Sequence, residues 1–228
     1  MASHLGDHTW PELHHRRRRP LLAVPVGSCE QHGPHLPLDT DTRIAVALAE
    51  GLVASLTEGD VVVAPPITIS ASGEHAGFAG TLSIGTEVME QVLVELVRSA
   101  DWCAGVVLVN GHGGNAAPVG RAVATLQHEG RRVLAWWPRI PGGDAHAGHT
   151  ETSLLLAIAP GSVHVERAEA GPVAALSALA GRLRSEGVRA VSPNGVLGDP
   201  AGADAAHGHA LLTRLTTDLV AAVGEWRV

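Results

Sequence analysis

The stretch GSCEQHGPHLPLDTD, residues 27–41, gathers Glu30, His32, His35, Asp39 and Asp41 around prolines, directly after the apolar run LLAVPV. Residues two apart in extended chain point to the same side, so Glu30 and His32 can face one point beyond the strand end. An imidazole and a carboxylate meeting there could bind a divalent metal or exchange a proton. Asp41 stands before the helical pattern TRIAVALAE, where an aspartate can equally serve as an N-cap; Asp39 could take that role and leave one carboxylate free. Taken alone, the segment reads as well as a solvated loop as it does as a site.

Two further clusters have the same character. NGHGGN, residues 110–115, lies between an apolar run and a helical one. Its GHGGNA formally fits a dinucleotide fingerprint, but the acidic residue expected some 20 positions on is replaced by AWWPR. It can also be a plain glycine turn, or a loop whose glycines bring backbone close to a metal and a substrate with His112 as ligand. GGDAHAGHTETS, residues 142–153, gathers His146, His149 and Glu151 at a helix start, where Glu151 alone would merely complement the helix dipole. Glu74 and His75 form a weaker pair. Three such clusters suit zinc, iron or manganese, and a shared aspartate can bridge two ions. The sequence has no His-Glu-x-x-His helix and no Gly-x-Ser-x-Gly elbow, which excludes a thermolysin-like protease and a common serine hydrolase. Cys29 lies three residues from His32, but a cysteine nucleophile leaves the carboxylates unexplained.

The elements that must position these groups follow from periodicity. Residues 21–27, 60–70, 104–110 and 131–138 are short, nearly continuous apolar runs, as expected of strands covered on both faces. Residues 42–57, 86–101 and 116–129 carry helical spacing, the last from a possible Asn115 cap to Gly130. Three more helices are predicted at 151–159, 171–186 and 204–226, with Leu211, Leu215 and Leu219 recurring every fourth residue. The alternation predicts an α/β fold, a mainly parallel sheet between helices, with the charged clusters at the carboxyl edge where open sheets build their sites.

The net charge of −7 argues against general affinity for nucleic acid. The basic run HHRRRRP at 14–20 reads as a solvated, flexible tail covering residues 1–20, with residues 21–228 as one domain. The sequence shows no signal-peptide pattern and no apolar stretch long enough for a membrane span, so a soluble cytoplasmic protein is expected. Two cysteines, Cys29 and Cys103, do not make a disulfide scaffold.

In order and spacing, GSCEQHGPHLPLDTD, SGEHAGFAGTLSIG, NGHGGN, HAGHTETS and GVLGDP resemble the creatininase family of metal-dependent amidohydrolases, from about residue 21 to the C-terminus. LPLDTDTRIA with PGGDAHAGHTETS is most similar to the branch that trims the modified precursor peptide of a redox cofactor. The resemblance implies a three-layer α/β/α sandwich, one or two divalent ions per chain (zinc, iron or manganese), and a homo-oligomer, often a hexamer. By position it implies that Glu30, Asp41 and His112 hold one metal, that His32 and Asp41 hold the other, and that His146 shuttles the proton. Where the family has a glutamate two residues after the Asn-Gly-His histidine, this chain has Gly114. Either Glu151 supplies the missing carboxylate or the second site is weak. Glu74, His75, Gly113, Gly114 and His149 are the candidates for contact with substrate. The implied reaction is hydrolysis of an amide near the C-terminus of the modified peptide, releasing a dipeptide. A small-molecule amidohydrolase acting on a cyclic amide or formamide, and a non-catalytic scaffold presenting the peptide, are the competing readings.

Overall fold

The computed structural model describes residues 3–56 and 60–227. Four parallel strands, β1 (Leu21–Val26), β2 (Val61–Val63), β3 (Gly105–Asn110) and β4 (Val133–Trp136), form one sheet in the order β2-β1-β3-β4. β1 and β3 run in register from Leu21↔Gly105 to Val26↔Asn110. Every residue of both strands is buried, which explains their unbroken apolar pattern.

Alternate side chains of β1 enter opposite layers. Leu21 and Ala23 pack with α2 (Thr40–Ala54), α5 (His149–Ile158) and α8 (Ala205–Arg227). Leu22, Val24 and Val26 pack with α3 (Gly85–Ser99) and α4 (Ala116–His128). The result is the expected α/β/α sandwich. Along α8, Leu211, Leu215, Leu219 and Val223 form the buried stripe that the four-residue recurrence predicts. Each fully buried leucine contributes about 2 kcal/mol of transfer free energy.

Several predicted boundaries are corrected. The expected strand at 60–70 shrinks to Val61–Val63, because Pro65 and Pro66 cannot donate to a ladder; beyond them Ile67 makes only an isolated bridge to Val26. The expected helix at 171–186 begins only at Leu176, as α6 (Leu176–Glu186), and the short α7 (Val188–Val191) follows it. α2 ends at Ala54, and Thr57, the predicted helix end, lies outside the described residues, as do Met1, Ala2 and Val228. Ahead of β1, the Val63 N–H donates to Ser3 O at 2.8 Å, so the segment runs along the β2 edge. It then turns into α1 (Trp10–His14), started by a 2.6 Å bond from Thr9 N–H to the Glu12 carboxylate. Arg19 donates to Asp101 O at 3.2 Å.

From β1 the chain moves outward to β2, then crosses to the other side of β1 for β3. The carboxyl ends of β1 and β3 therefore flank a topological switch point, where the loops diverge and open a crevice.

Candidate metal centre and its clefts

Two glycines bring the α2 N-terminus into this crevice. A Cβ on Gly27, the residue after β1, would stand 2.4 Å from Thr42 Cα, and one on Gly111, after β3, would stand 2.5 Å from Asp41 O. Only glycine at both strand ends lets the first turn of α2 press between them, and this places Asp41 at the centre. Asp39 occupies the N-cap position, but its carboxylate bonds to Arg43 Nε at 2.8 Å instead of capping backbone, a correction to the expected cap. Asn115 likewise makes no cap: its side chain accepts from Ala71 N–H and donates to Gly27 O and Asn110 Oδ1, tying the two strand ends together.

Around Asp41 the ligand-type atoms converge. Its Oδ2 accepts from Ser28 Oγ at 2.9 Å and lies 3.1 Å from His112 Nδ1, and its Oδ1 lies 3.1 Å from His32 Nε2. His32 Nε2 is also 3.9 Å from Glu151 Oε2, and His112 Nδ1 is 3.1 Å from Glu30 Oε1. Among the described residues, three groups of potential ligand atoms fall within 4.8 Å: Glu30–Asp41–His112, His32–Asp41–Glu151 and Glu30–His32–His146.

Each central histidine is oriented from outside the cluster. His32 Nδ1 donates to Glu30 O at 3.1 Å, His112 Nε2 to Ala71 O at 3.0 Å and His146 Nε2 to Gln31 O at 2.8 Å. The other ring nitrogen of each is left to face inward as a lone pair when the ring is neutral, the arrangement found in metal-ligating histidines. Glu30 is fully buried and neither of its oxygens is hydrogen-bonded; Oε1 has unaligned ion-pair contacts with His112 Nδ1, with His75 Nε2 at 3.3 Å and with His146 Nδ1 at 4.0 Å. A buried carboxylate in that state requires a cation.

The electrostatics agree. Burial raises Asp41, but His32 and His112 outweigh it and hold the carboxyl well below its usual range. Burial opposes protonation of His32, yet Asp41, Glu151 and Glu30 push it up to about 10, and Glu30 and Asp41 raise His112 in the same way. Burial lifts Glu151 to about 7. Burial and the neighbouring His32 lower His146 to about 4, and burial with His146 and His112 takes His75 to about 2. Without metal, His32 and His112 must hold protons to balance the carboxylates. With imidazole nitrogens, hard carboxylate oxygens and an orphaned Glu30, the donor set fits a divalent metal.

Gly114 has a specific reason. A Cβ there would stand 2.0 Å from Glu74 Oε1 and 2.4 Å from His112 Nε2. Glu74 thus fills the space a side chain at 114 would enter, with Oε1 3.3 Å from His112 Nε2 on the outer side of the ring. His35 bonds through Nε2 to Thr152 Oγ1 at 2.8 Å, behind the cluster. His149 faces elsewhere: it packs edge-on against His207 and lines neither cleft, contrary to its place among the expected substrate contacts. Gln31 is a residue the motifs did not single out. It donates to His75 Nδ1 at 2.9 Å and to Gly195 O at 3.0 Å, linking the β1 loop to the loop before α8. Ala147, between His146 and Glu151, has φ 52°, and its N–H donates to Glu151 Oε2 at 2.6 Å. Among the described non-glycine residues it alone has positive φ, so the backbone is strained at the cluster.

Two clefts meet above the cluster, sharing His112, Gly113 and Glu151. The larger, about 950 Å³, runs under α6 and is also lined by Glu74, His75, Gly114 and His146. The smaller, about 470 Å³, runs past Trp137 and Asp144. No helix among the described residues is long and apolar enough to cross a membrane.

Known proteins resemble this chain in sequence and in fold. The chain is 49% identical over 230 residues to the mycofactocin precursor peptide peptidase of Mycolicibacterium smegmatis, covering 99% of this chain and 92% of that protein. It is 50% identical over 216 residues to the protein of the same name from Mycobacterium tuberculosis, covering 91% and 86%. A creatininase solved in a manganese form has the same fold, with a TM-score of 0.82 over 99% of this chain and 98% of that one at 21% identity. The family model described as creatinine amidohydrolase matches residues 6–223, from the segment before β1 into the last turns of α8. The chain belongs to the creatininase family.

Proposed function

We propose that this chain is a metal-dependent peptidase that hydrolyses an amide bond near the C-terminus of the modified mycofactocin precursor peptide and releases a C-terminal dipeptide. The observation that carries the reading is Asp41, whose two oxygens face two different sets of imidazole and carboxylate ligands at the meeting point of two clefts. Glu30, Asp41 and His112 would hold one divalent ion, and His32, Asp41 and Glu151 a second; zinc, iron or manganese suits the donors. Such ions, when bound, activate water and polarise an amide carbonyl.

The chain's own groups then do the rest. A peptide laid across the centre places its acyl part in one cleft and its amine part in the other. His146 is neutral at pH 7, with Nε2–H fixed on Gln31 O, so Nδ1 is free as a base. It takes a proton from the attacking water as the carbon–oxygen bond forms, and gives it to the departing nitrogen as the carbon–nitrogen bond breaks. The Nε2 bond to Ala71 O, with Glu74 beside it, keeps His112 turned with Nδ1 inward. The strained loop at Ala147 fixes His146 and Glu151 relative to each other.

The reading includes a cytoplasmic homo-oligomer, of hexameric size. Exposed Leu38 and Leu82 beside the Cys29–Leu82 bridge support an apolar contact surface, and light scattering checks the mass. The central test is incubation of metal-loaded protein with the modified precursor peptide and mass spectrometry of the products. A released C-terminal dipeptide is the expected result; intact peptide with zinc, iron and manganese each supplied overturns the reading.

A further inference from the structure

One residue gives two histidines of the larger cleft opposite faces. Gln31 is buried, and two backbone groups fix the direction of its amide. The Gly33 N–H can only donate, so the amide atom 2.8 Å from it is the oxygen; Gly195 O can only accept, so the atom 3.0 Å from it is the nitrogen. A Cβ on Gly195 would stand 2.4 Å from Gln31 Cδ, so the amide fills the space a side chain at 195 would need. The second amide N–H then points at His75 Nδ1, 2.9 Å away, which must be the accepting nitrogen. An imidazole that accepts at Nδ1 carries its proton on Nε2. The main-chain oxygen of Gln31 meanwhile accepts from His146 Nε2–H at 2.8 Å, which leaves that ring's lone pair on Nδ1. The 3.1 Å approach of Gln31 Nε2 to His146 Nε2 is not a bond, because both nitrogens donate elsewhere.

The two rings lie side by side, with centroids 4.6 Å apart, and both line the larger cleft. His146 therefore offers a base there, and His75 a donor. His75 Nε2 makes no hydrogen bond among the described residues; it stands 3.3 Å from Glu30 Oε1, out of line with it, beside the half of the centre formed by Glu30, Asp41 and His112. We infer that His75 Nε2–H donates to the carbonyl oxygen of the scissile amide, and that Gln31 is the positioning residue that keeps this proton on Nε2. As water adds to the carbonyl carbon, the π electrons move onto that oxygen and the bond from His75 strengthens. The proton stays on His75, while His146 carries the water proton to the departing nitrogen. The inference rests on the peptidase reading above.

The test reads the tautomer first. In metal-free protein carrying isotope-labelled histidine, long-range proton–nitrogen spectra distinguish a protonated ring nitrogen from a bare one. His75, identified by its absence in the His75 variants, should carry its proton on Nε2, and Gln31→Glu should move it to Nδ1, because a carboxylate only accepts. With metal and peptide supplied, His75→Met should lower kcat by roughly 10²–10³-fold with KM little changed, the loss expected for one donor to a developing oxyanion. His75→Gln returns an N–H near the place of Nε2 and should regain roughly tenfold, whereas Gln31→Glu should fall with His75→Met. Metal per chain, measured on the same samples, should stay at the wild-type value. A wild-type His75 protonated on Nδ1 overturns the inference, as does turnover in His75→Met within tenfold of wild type. A loss of turnover matched by a loss of metal also overturns it, since His75 would then act as a support for Glu30. The tautomer is read in the wild type, so the inference stays open to refutation even if His75→Met fails to fold. Intact peptide after incubation with the wild type overturns the peptidase reading, and the substrate contact of His75 with it, whatever the tautomer.

Discussion

Asp41→Asn should remove metal from both halves of the centre at once. The two Asp41 oxygens face different groups, Oδ2 toward His112 and Oδ1 toward His32, each at 3.1 Å. Asparagine keeps the shape but removes the charge and turns one oxygen into an N–H donor, which repels a cation. Glu30→Gln touches the half with His112, and Glu151→Gln the half with His32. At free metal 100 times the dissociation constant, each bound ion stabilises the fold by about 2.7 kcal/mol. For a chain of this size that corresponds to about 5–11 °C in melting temperature, at about 2–4 °C per kcal/mol. The assay strips the protein with a chelator, then measures melting with and without zinc, manganese or ferrous iron, and metal per chain by plasma mass spectrometry. The shift should be full in the wild type, about half in Glu30→Gln and in Glu151→Gln, and absent in Asp41→Asn. Comparing each variant with its own metal-free form removes the cost of losing the Ser28 bond. An Asp41→Asn protein that keeps the shift of either single variant would refute the shared-ligand argument, and a wild type unmoved by all three metals would refute the metal centre.

His146→Gln should lower kcat by roughly 10²–10⁴-fold with bound metal retained, since general acid–base transfer is what it removes; dipeptide release followed by mass spectrometry measures it, and turnover within tenfold of wild type contradicts the proton-transfer role. Gly114→Ala forces a Cβ to within 2.4 Å of His112 Nε2 and 2.8 Å of Ala71 O, both buried. Overpacking of this kind costs about 1–3 kcal/mol, and displacing the orienting partner of a metal-binding histidine weakens metal affinity about 10–100-fold. Wild-type melting and metal titration in this variant would show that the space is not filled by Glu74. In metal-free protein, His75 and His146 stay neutral when folded, so the unfolded chain binds more protons between about pH 4 and 6.5 and stability rises there, with Glu151 opposing by one proton. Above pH 6.5, His32, held at about 10, and the raised His112 keep protons that the unfolded chain has released, so stability falls as pH climbs toward 10. Urea unfolding should therefore peak near pH 6.5 and metal should bind more tightly as pH rises, because those protons must leave; a metal-free stability that climbs steadily to pH 9 would contradict the charge balance assigned to the site.

The layered architecture was legible in the sequence because strands buried on both faces admit only apolar side chains, and LLAVPV and GVVLVN show that constraint locally. The helices were legible where one face is buried, as in the α8 leucines, and misjudged at 171–186, where α6 has no buried residue among its described side chains to set a period. The strand ending at Val63 was overextended because an apolar run does not reveal which of its residues find a ladder partner. Residue types alone nominated Glu30, His32, His112, His146 and Glu151 as chemistry. The sequence could not say whether Asp41 or Asp39 caps α2, whether Asn115 caps α4, why position 114 is glycine, or that His149 turns toward His207. Most of those outcomes depend on chain segments far apart in sequence meeting at one point. Asp41 faces inward because Gly27 and Gly111 let α2 press between β1 and β3, and Gly114 is bare because Glu74 arrives from another loop to fill its place. Local pattern is enough to decide what must be buried; which polar atom faces which is decided by the contacts between elements that burial brings together.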